Sequence, residues 1–259
     1  MAGKKRPLAD LYGNLYARMR LMSQREPLTR ARILVLAGGD SAEREISLQS
    51  GAAVAAACDS VGLLVAGVDP ALTDLTSFPW QPHDVVFNAL HGGAGENGDI
   101  QLLLEAACVP YTGSGPATSQ LAFSKSAAKL RLQQNGIPTP RFVLIHRSDS
   151  EDRLREQAER IGYPLVVKPD QQGSSLGVGI VHDPSDLLCA AAECFRYGAF
   201  GLIEQAIPGT EWTLGVLDDN PLPLIKIETG NAIFDFDAKY EDDATVYQFD
   251  FDESPAVLI

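Results

Sequence analysis

The sequence predicts an α/β chain built as two units, an open and mainly parallel sheet followed by an α+β unit. Three observations carry this. From Ile33 to Leu90 short apolar runs alternate with helix-like stretches, the pattern of a parallel sheet covered on its faces. Two of those runs lead into glycine-rich polar clusters, one from Gly38 and one from His91, and open sheets bind ligands at the carboxyl ends of their strands. Beyond about Ser124 the strands follow one another more closely, with helices flanking some of them. A length of 259 residues leaves room for both units, and 45% hydrophobic with 21% charged residues is the composition of an ordinary globular protein.

Charge and cysteine usage narrow the function classes. A formal net charge of −13 argues against a nucleic-acid surface over most of the chain. The charge is uneven, since residues 1–32 carry eight Lys/Arg against Asp10 and Glu26. Within that basic lead Leu8, Leu11, Leu15, Met19 and Met22 recur at roughly helical spacing. A surface arm is the plainer reading of it, and contact with an anionic partner the alternative. No apolar run reaches the roughly 18 residues of a membrane span, and no continuous apolar core marks a secretory signal. Cys58, Cys108, Cys189 and Cys194 form no C-x-x-C pair and stand at no zinc-like spacing. They are expected to be buried free thiols in a reducing compartment.

Taken in order, Ile33–Leu36 reads as a buried strand, an alanine-rich helix runs to about Cys58, and Leu63–Val68 and Asp84–Leu90 are strands. Ser124–Gln134 reads as a helix stopped by Asn135, Gly136 and Pro138. Phe142–Ile145 is a strand. Ser150–Ile161 is a charged helix with Ser150 or Asp149 as its N-cap and Gly162 just past its end. Leu165–Val167 is a buried strand, Val178–Val181 its return, and Ser185–Tyr197 a helix. Gly201–Ile207, Trp212–Leu217 and Leu224–Ile227 close the series as strands.

The chemistry centres on the stretch from Leu165 to Gly179. Lys168 ends an apolar strand, and a loop follows with Gly173, Gly177 and Gly179 and the hydroxyls of Ser174 and Ser175. Glycines let backbone N–H groups approach anionic oxygens, and a lysine adds a point charge for phosphate. The loop is not a Walker A motif, and a plain hairpin is the competing reading. In Gly38-Gly39-Asp40-Ser41-Ala42-Glu43-Arg44-Glu45 a helix N-terminus follows a strand, an anion site by its dipole and free N–H groups. There the plainer reading is a capping box with Asp40 as N-cap and Glu43 three residues on. A lone histidine is more often structural, but His91 follows a strand end inside a loop holding Gly92, Gly93, Gly95 and Gly98, which favours a ligand role.

Together these strings resemble the D-alanine–D-alanine ligases of the ATP-grasp superfamily. The motifs are G-G-x-S-A-E-R-E from Gly38, L-H-G from Leu90, P-Y-T-G-S-G from Pro110, V-V-K-P…G-S-S-x-G from Val166 and D-A-K-Y from Asp237. The resemblance covers about residues 33–250. It implies a Rossmann-like, pre-ATP-grasp sheet followed by an incomplete ATP-grasp α+β unit. The division it implies is a basic extension over 1–32, a substrate-binding domain over 33–123, a central ATP-grasp subdomain over 124–211, and the start of a C-terminal subdomain over 212–259. ATP, D-alanine and Mg2+ are the ligands it implies. Glu43 would meet the ammonium of the first D-alanine, and His91 would lie near the substrate carboxylate. Lys125, Lys168 and Lys239 would meet the phosphates beneath a closing loop of Gly173, Ser174, Ser175 and Gly177. Glu204, Gln205, Ala206 and Ile207 would form the adenine hinge and Glu211 would accept from the ribose. Gln205 departs from the longer cationic residue often found at that position. Tyr240, Ser174 and Glu43 would form a hydrogen-bonded trio, and Tyr240 favours a dipeptide product.

The resemblance implies an ATP-dependent ligase that joins two D-alanines through an acyl phosphate, in peptidoglycan precursor synthesis in a bacterial cytoplasm, and it leaves room for a homodimer. It also implies an R-x-D strand and an E-x-N segment that carry the metal carboxylates and an arginine. Neither string occurs after Tyr240, so no metal ligand is assigned and residues 1–259 by themselves are expected to turn over near background. Two alternatives stay open: a non-catalytic or truncated binder of ATP or D-alanine, and an ATP-grasp ligase for another amino acid.

Overall fold

Strand β1 (Arg32–Leu36) is buried from Ile33 onward and stands in the middle of the first sheet, as a continuous apolar run covered on both faces should. The structure, a computed structural model, describes residues 31–217, 220–230 and 245–249. Those residues fall into two units. One takes in the chain up to Asp40, Arg44–Leu90 and Gln101–Gly113; the other takes in Ser41–Glu43, His91–Ile100 and the chain from Ser114 onward.

In the first unit β1 pairs in parallel with β2 (Leu64–Val68) and with β3 (Asp84–Asn88), giving the order β2-β1-β3. Helix α1 (Arg44–Ser60) makes the crossover from β1 to β2. The alternation of apolar runs and helix therefore produced the expected parallel sheet. Buried Ser47 of α1 accepts from the Gly38 N–H and donates to the Ala89 carbonyl, each at 2.8 Å. One hydroxyl thus ties the segments that leave β1 and β3, so the two glycine-rich clusters begin at neighbouring strand ends. Helix α2 (Gly93–Glu96) belongs to the second unit, and α3 (Asp99–Ala106) returns the chain to the first. Tyr111 adds a parallel bridge beside Val86.

The second unit opens with α4 (Pro116–Phe123) and α5 (Lys125–Gln134). Its main sheet is antiparallel, in the order β4-β7-β5-β6, from β4 (Phe142–His146), β5 (Leu165–Pro169), β6 (Gly179–Val181) and β7 (Phe200–Gln205). Helices α6 (Glu151–Ile161) and α7 (Leu187–Cys194) cover it, and Leu154, Ala158, Ile161, Leu187, Ala191 and Cys194 pack on Ile145, Leu165, Val167, Val181 and Ile203. Ser150 caps α6 by accepting from the Arg153 N–H, and Gly162 follows its end with φ 85°. A second antiparallel sheet, β12-β11-β8, joins β8 (Glu211–Thr213), β11 (Ile225–Glu228) and β12 (Val246–Gln248). A hairpin pairs β9 (Val216–Leu217) with β10 (Asn220–Pro221).

Several expectations need correction. The strand read over Trp212–Leu217 is two strands, broken at Leu214-Gly215. The helix over Ser185–Tyr197 is α7 with a single 3-10 turn on each side. Of the four free thiols only Cys194 is buried; Cys58 is half-buried, and Cys108 and Cys189 are exposed. Leu187, Ala191 and Cys194 share the core face of α7 at helical spacing, and Cys189 falls on the other side. Cys108 sits in the turn after α3, with φ 56°.

Candidate active site

Glu43 and Ser174, the two residues of the expected trio that are described, are joined: the Ser174 hydroxyl donates to Oε1 of Glu43. Tyr240 and Lys239 lie outside the described residues. The arrangement begins one turn before Glu43. Ser41 accepts from the Glu43 N–H at 3.1 Å and donates to the His91 carbonyl at 2.5 Å. Ser41, not Asp40, therefore holds the turn ahead of α1, which begins at Arg44. The Glu43 carboxylate is freed from the reciprocal bond of a capping box and reaches the loop instead.

Glu43 is buried, and its Oε2 has no hydrogen-bond partner among the described residues. Glycines wall that atom. A Cβ on Gly173 would stand 2.9 Å from Oε2, and one on Gly92 would stand 2.5 Å from it. Gly92 also has φ 65° and ψ −178°, a region open to essentially no other residue. A buried anionic oxygen kept clear by two glycines suits a cationic ligand group, because burial without a partner is costly.

The loop after β5 is wound tightly. Ser174 and Ser175 both take left-handed backbone, at φ 48° and 58°, and Gly177 follows at φ 70°. Turn bonds from the Leu176 N–H to the Gly173 carbonyl (3.1 Å) and from the Val178 N–H to the Ser175 carbonyl (3.3 Å) hold the coil. Two successive left-handed residues with side chains cost about 1–2 kcal/mol each. Such stored strain belongs at functional segments.

Lys125 and Lys168 converge beneath this loop. Lys125 donates from Nζ to the Gln172 carbonyl at 2.5 Å. Its ammonium is mostly removed from water, and Lys168 adds a like charge, so burial first and repulsion second bring its pKa down to about 8. Asp170, which the sequence reading passed over, sets the position of Lys125. Its buried carboxylate accepts from the Ser126 N–H at 2.7 Å and from the Ser124 hydroxyl at 2.9 Å, while its carbonyl accepts from the Lys125 N–H at 3.0 Å. A carboxylate from the end of β5 thus caps α5.

The expected hinge role of Glu204 is a backbone one, and its side chain is engaged elsewhere. Its buried carboxylate lies between two lysines, with Oε1 2.7 Å from Lys168 Nζ and Oε2 2.7 Å from Lys129 Nζ. Lys129, also passed over, sits one turn after Lys125 on α5. Past Glu204, the Gln205 N–H donates to the Arg141 carbonyl at 2.9 Å, and its side-chain carbonyl accepts from Arg141 Nε at 3.3 Å. The Ala206 N–H donates to the Pro164 carbonyl at 3.3 Å, and Ile207 is exposed. Glu211 is exposed at the start of β8, opposite Ile227.

Among the described residues no group of three or more His, Cys, Asp or Glu is placed to hold a metal ion. The buried carboxylates here are committed, Glu43 to Ser174 and Glu204 to two lysines, so the described residues do not fit a divalent cation.

A family profile described as "D-ala D-ala ligase C-terminus" matches residues 131–257, and one described as "D-ala D-ala ligase N-terminus" matches residues 71–114. A D-alanine–D-alanine ligase of Nitrosomonas europaea is 43% identical over 216 residues, covering 83% of this chain and 70% of the relative. One of Stutzerimonas stutzeri is 42% identical over 230 residues, covering 89% and 72%. Among solved structures, D-alanine–D-alanine ligase from Bacillus anthracis superposes with a TM-score of 0.71 at 31% identity, over 88% of this chain and 74% of that one. The same enzyme complexed with ATP gives a TM-score of 0.70 at 29% identity, over 87% and 72%.

Proposed function

This chain belongs to the D-alanine–D-alanine ligase family, and from that premise we propose that it is an ATP-dependent ligase joining two D-alanines for peptidoglycan precursor synthesis. The observation that carries the reading is the Glu43–Ser174 bond, which leaves the buried Oε2 of Glu43 for the ammonium of the first D-alanine. The carboxylate of that D-alanine attacks the terminal phosphorus of ATP, forming an acyl phosphate and releasing ADP. The amine of the second D-alanine then attacks the acyl carbon, and phosphate leaves with formation of the peptide bond. Lys125 and Lys168 offset phosphoryl charge, and the loop from Gly173 to Gly177 excludes water and holds Ser174 on Glu43. His91 lies near the substrate carboxylate in this reading. Lys239 would add a further charge at the phosphates and Tyr240 would complete the trio.

Magnesium would supply further neutralisation of phosphate charge. The described residues do not fit it, and no step here runs through it. The proposal includes the division at 123/124 into substrate-binding and nucleotide-binding portions, a cytoplasmic location, where ATP and D-alanine are both at hand, and a homodimer. Among the described residues no helix is long and apolar enough to cross a membrane.

Family membership favours this reading over a non-catalytic binder. Phosphate release from ATP, measured with D-alanine and then with L-alanine, glycine and D-lactate in its place, tests it. Whatever phosphate is released is expected to depend on D-alanine. Equal or greater release with another acceptor would move the assignment to a different amino-acid ligase.

A further inference from the structure

The Lys129–Glu204–Lys168 cluster is built unlike a simple ion pair. Glu204 projects from β7 at the register position opposite Phe142 of β4 and Val166 of β5. Its carboxylate is buried and needs countercharge. It receives two lysines at equal distance, 2.7 Å each, and they are not equivalent. The Lys168 side chain is 20% exposed and stands where the phosphate-binding lysine is expected; that of Lys129 is 9% exposed. Lys129 is held on three sides: by Glu204 Oε2, by the Thr139 hydroxyl at 2.6 Å, and by the face of the Phe142 ring, 4.9 Å from its centroid. Nothing in that setting lets Lys129 reach a ligand. Lys125 is the other cation whose charge is felt by the group, and Asp170 faces the N-terminus of α5 rather than Glu204.

The charge balance gives Lys129 a purpose. Lys168 and Glu204 alone sum to zero, so a phosphate arriving there would compete with a neutralised lysine. With Lys129 on the second oxygen the trio carries one net positive charge. We propose that Lys129 is a positioning residue for nucleotide binding: by occupying Oε2 of Glu204 it fixes that carboxylate and leaves the charge of Lys168 available to a nucleotide phosphate. This rests on the reading of Lys168 as a phosphate ligand. Lys129 itself touches no substrate.

The test is calorimetric titration of the protein with ATP as wild type, as Lys129→Met and as Lys129→Met/Glu204→Gln. Lys129→Met removes the net charge, and ATP affinity should fall about tenfold, the scale of one lost charge-assisted contact. The added Glu204→Gln restores the net charge and keeps the backbone through which the hinge is expected to meet adenine, so affinity should return to within about threefold of wild type, a difference of less than 1 kcal/mol. A role in packing alone predicts the opposite, because the second substitution would add to the loss. Unchanged affinity in Lys129→Met, or a double variant that binds more weakly than the single one, overturns the proposal. If Lys129→Met does not fold, the double variant decides alone: folded with near-wild-type affinity supports the proposal, and unfolded or weakly binding overturns it. A wild-type protein that does not bind ATP would instead sink the phosphate reading of Lys168.

Discussion

The Ser174 hydroxyl meets the Glu43 carboxylate across 131 positions of sequence, and the bond closes the phosphate-type loop onto the segment that leaves β1. Replacing Ser174 with alanine leaves a buried carboxylate short of its one donor among the described residues. We expect a loss of about 1–3 kcal/mol in stability, read as a lower denaturation midpoint with an unchanged slope. Threonine at the same position keeps the hydroxyl and should recover part of the loss.

The glycines around Oε2 of Glu43 give a sharper contrast. Gly92→Ala forces a side chain into a backbone region reserved for glycine and drives its Cβ against the carboxylate, so about 1–3 kcal/mol of stability should be lost. Gly173→Ala meets the same oxygen without positive φ. It should cost less stability while raising the KM for D-alanine, because the added methyl stands where the ligand ammonium would go. Steady-state kinetics on both variants, beside their melting curves, separate the two effects.

Much of this was legible in the sequence. Lys168 and Ser174 stand in one string whose glycines and hydroxyls announce a phosphate loop, and the family resemblance pointed to Glu43 and Lys125. The parallel sheet followed from the alternation of apolar runs and helix. Lys129 and Asp170 were not legible, because their roles are set by partners on other elements, Glu204 for one and Ser124 and Ser126 for the other. Asp40 gives way to Ser41 in the turn ahead of α1 because the His91 carbonyl, fifty residues away, anchors the Ser41 hydroxyl. Helix α4 was missed although Gly115 and Pro116 mark its start, since none of its residues is buried and it carries no clear apolar face. The break between β8 and β9 falls at Gly215, a residue that weakens a strand interior.

Asp69 gives a pH signature to the first unit. Its carboxylate accepts from Arg44, from the Gly39 N–H at 3.0 Å and from the Ala71 N–H at 3.0 Å. The Arg44 guanidinium is the main cause that holds its pKa down to about 2, from an ordinary 3.8. A depressed carboxylate contributes stability that is full above the unfolded value and is lost as pH falls through the folded one. The contribution should therefore be complete above about pH 4 and vanish towards pH 2. Asp69→Asn should lower stability at pH 7 by roughly 1–3 kcal/mol and flatten the acid limb between those values, measured by urea denaturation across the range.

Lys125 gives the nucleotide site the opposite behaviour. With its pKa lowered to about 8, its charge costs free energy in the empty site, and that cost is relieved as pH rises through 8. A bound phosphate favours the charged form, so ATP should bind with uptake of protons near pH 8 and more weakly as pH rises to 9. Titrations in buffers of different ionisation enthalpy measure the uptake directly. Lys125→Met should abolish it.

The account stands most directly on product formation. D-Alanyl-D-alanine and phosphate should be quantified together for the wild-type protein and for Glu43→Gln, with ATP, magnesium and D-alanine, alongside ATP binding. The account predicts one phosphate for each dipeptide in the wild type, and a Glu43→Gln variant that still binds ATP but makes little dipeptide. Phosphate release without dipeptide, or dipeptide formed undiminished by Glu43→Gln, would contradict it.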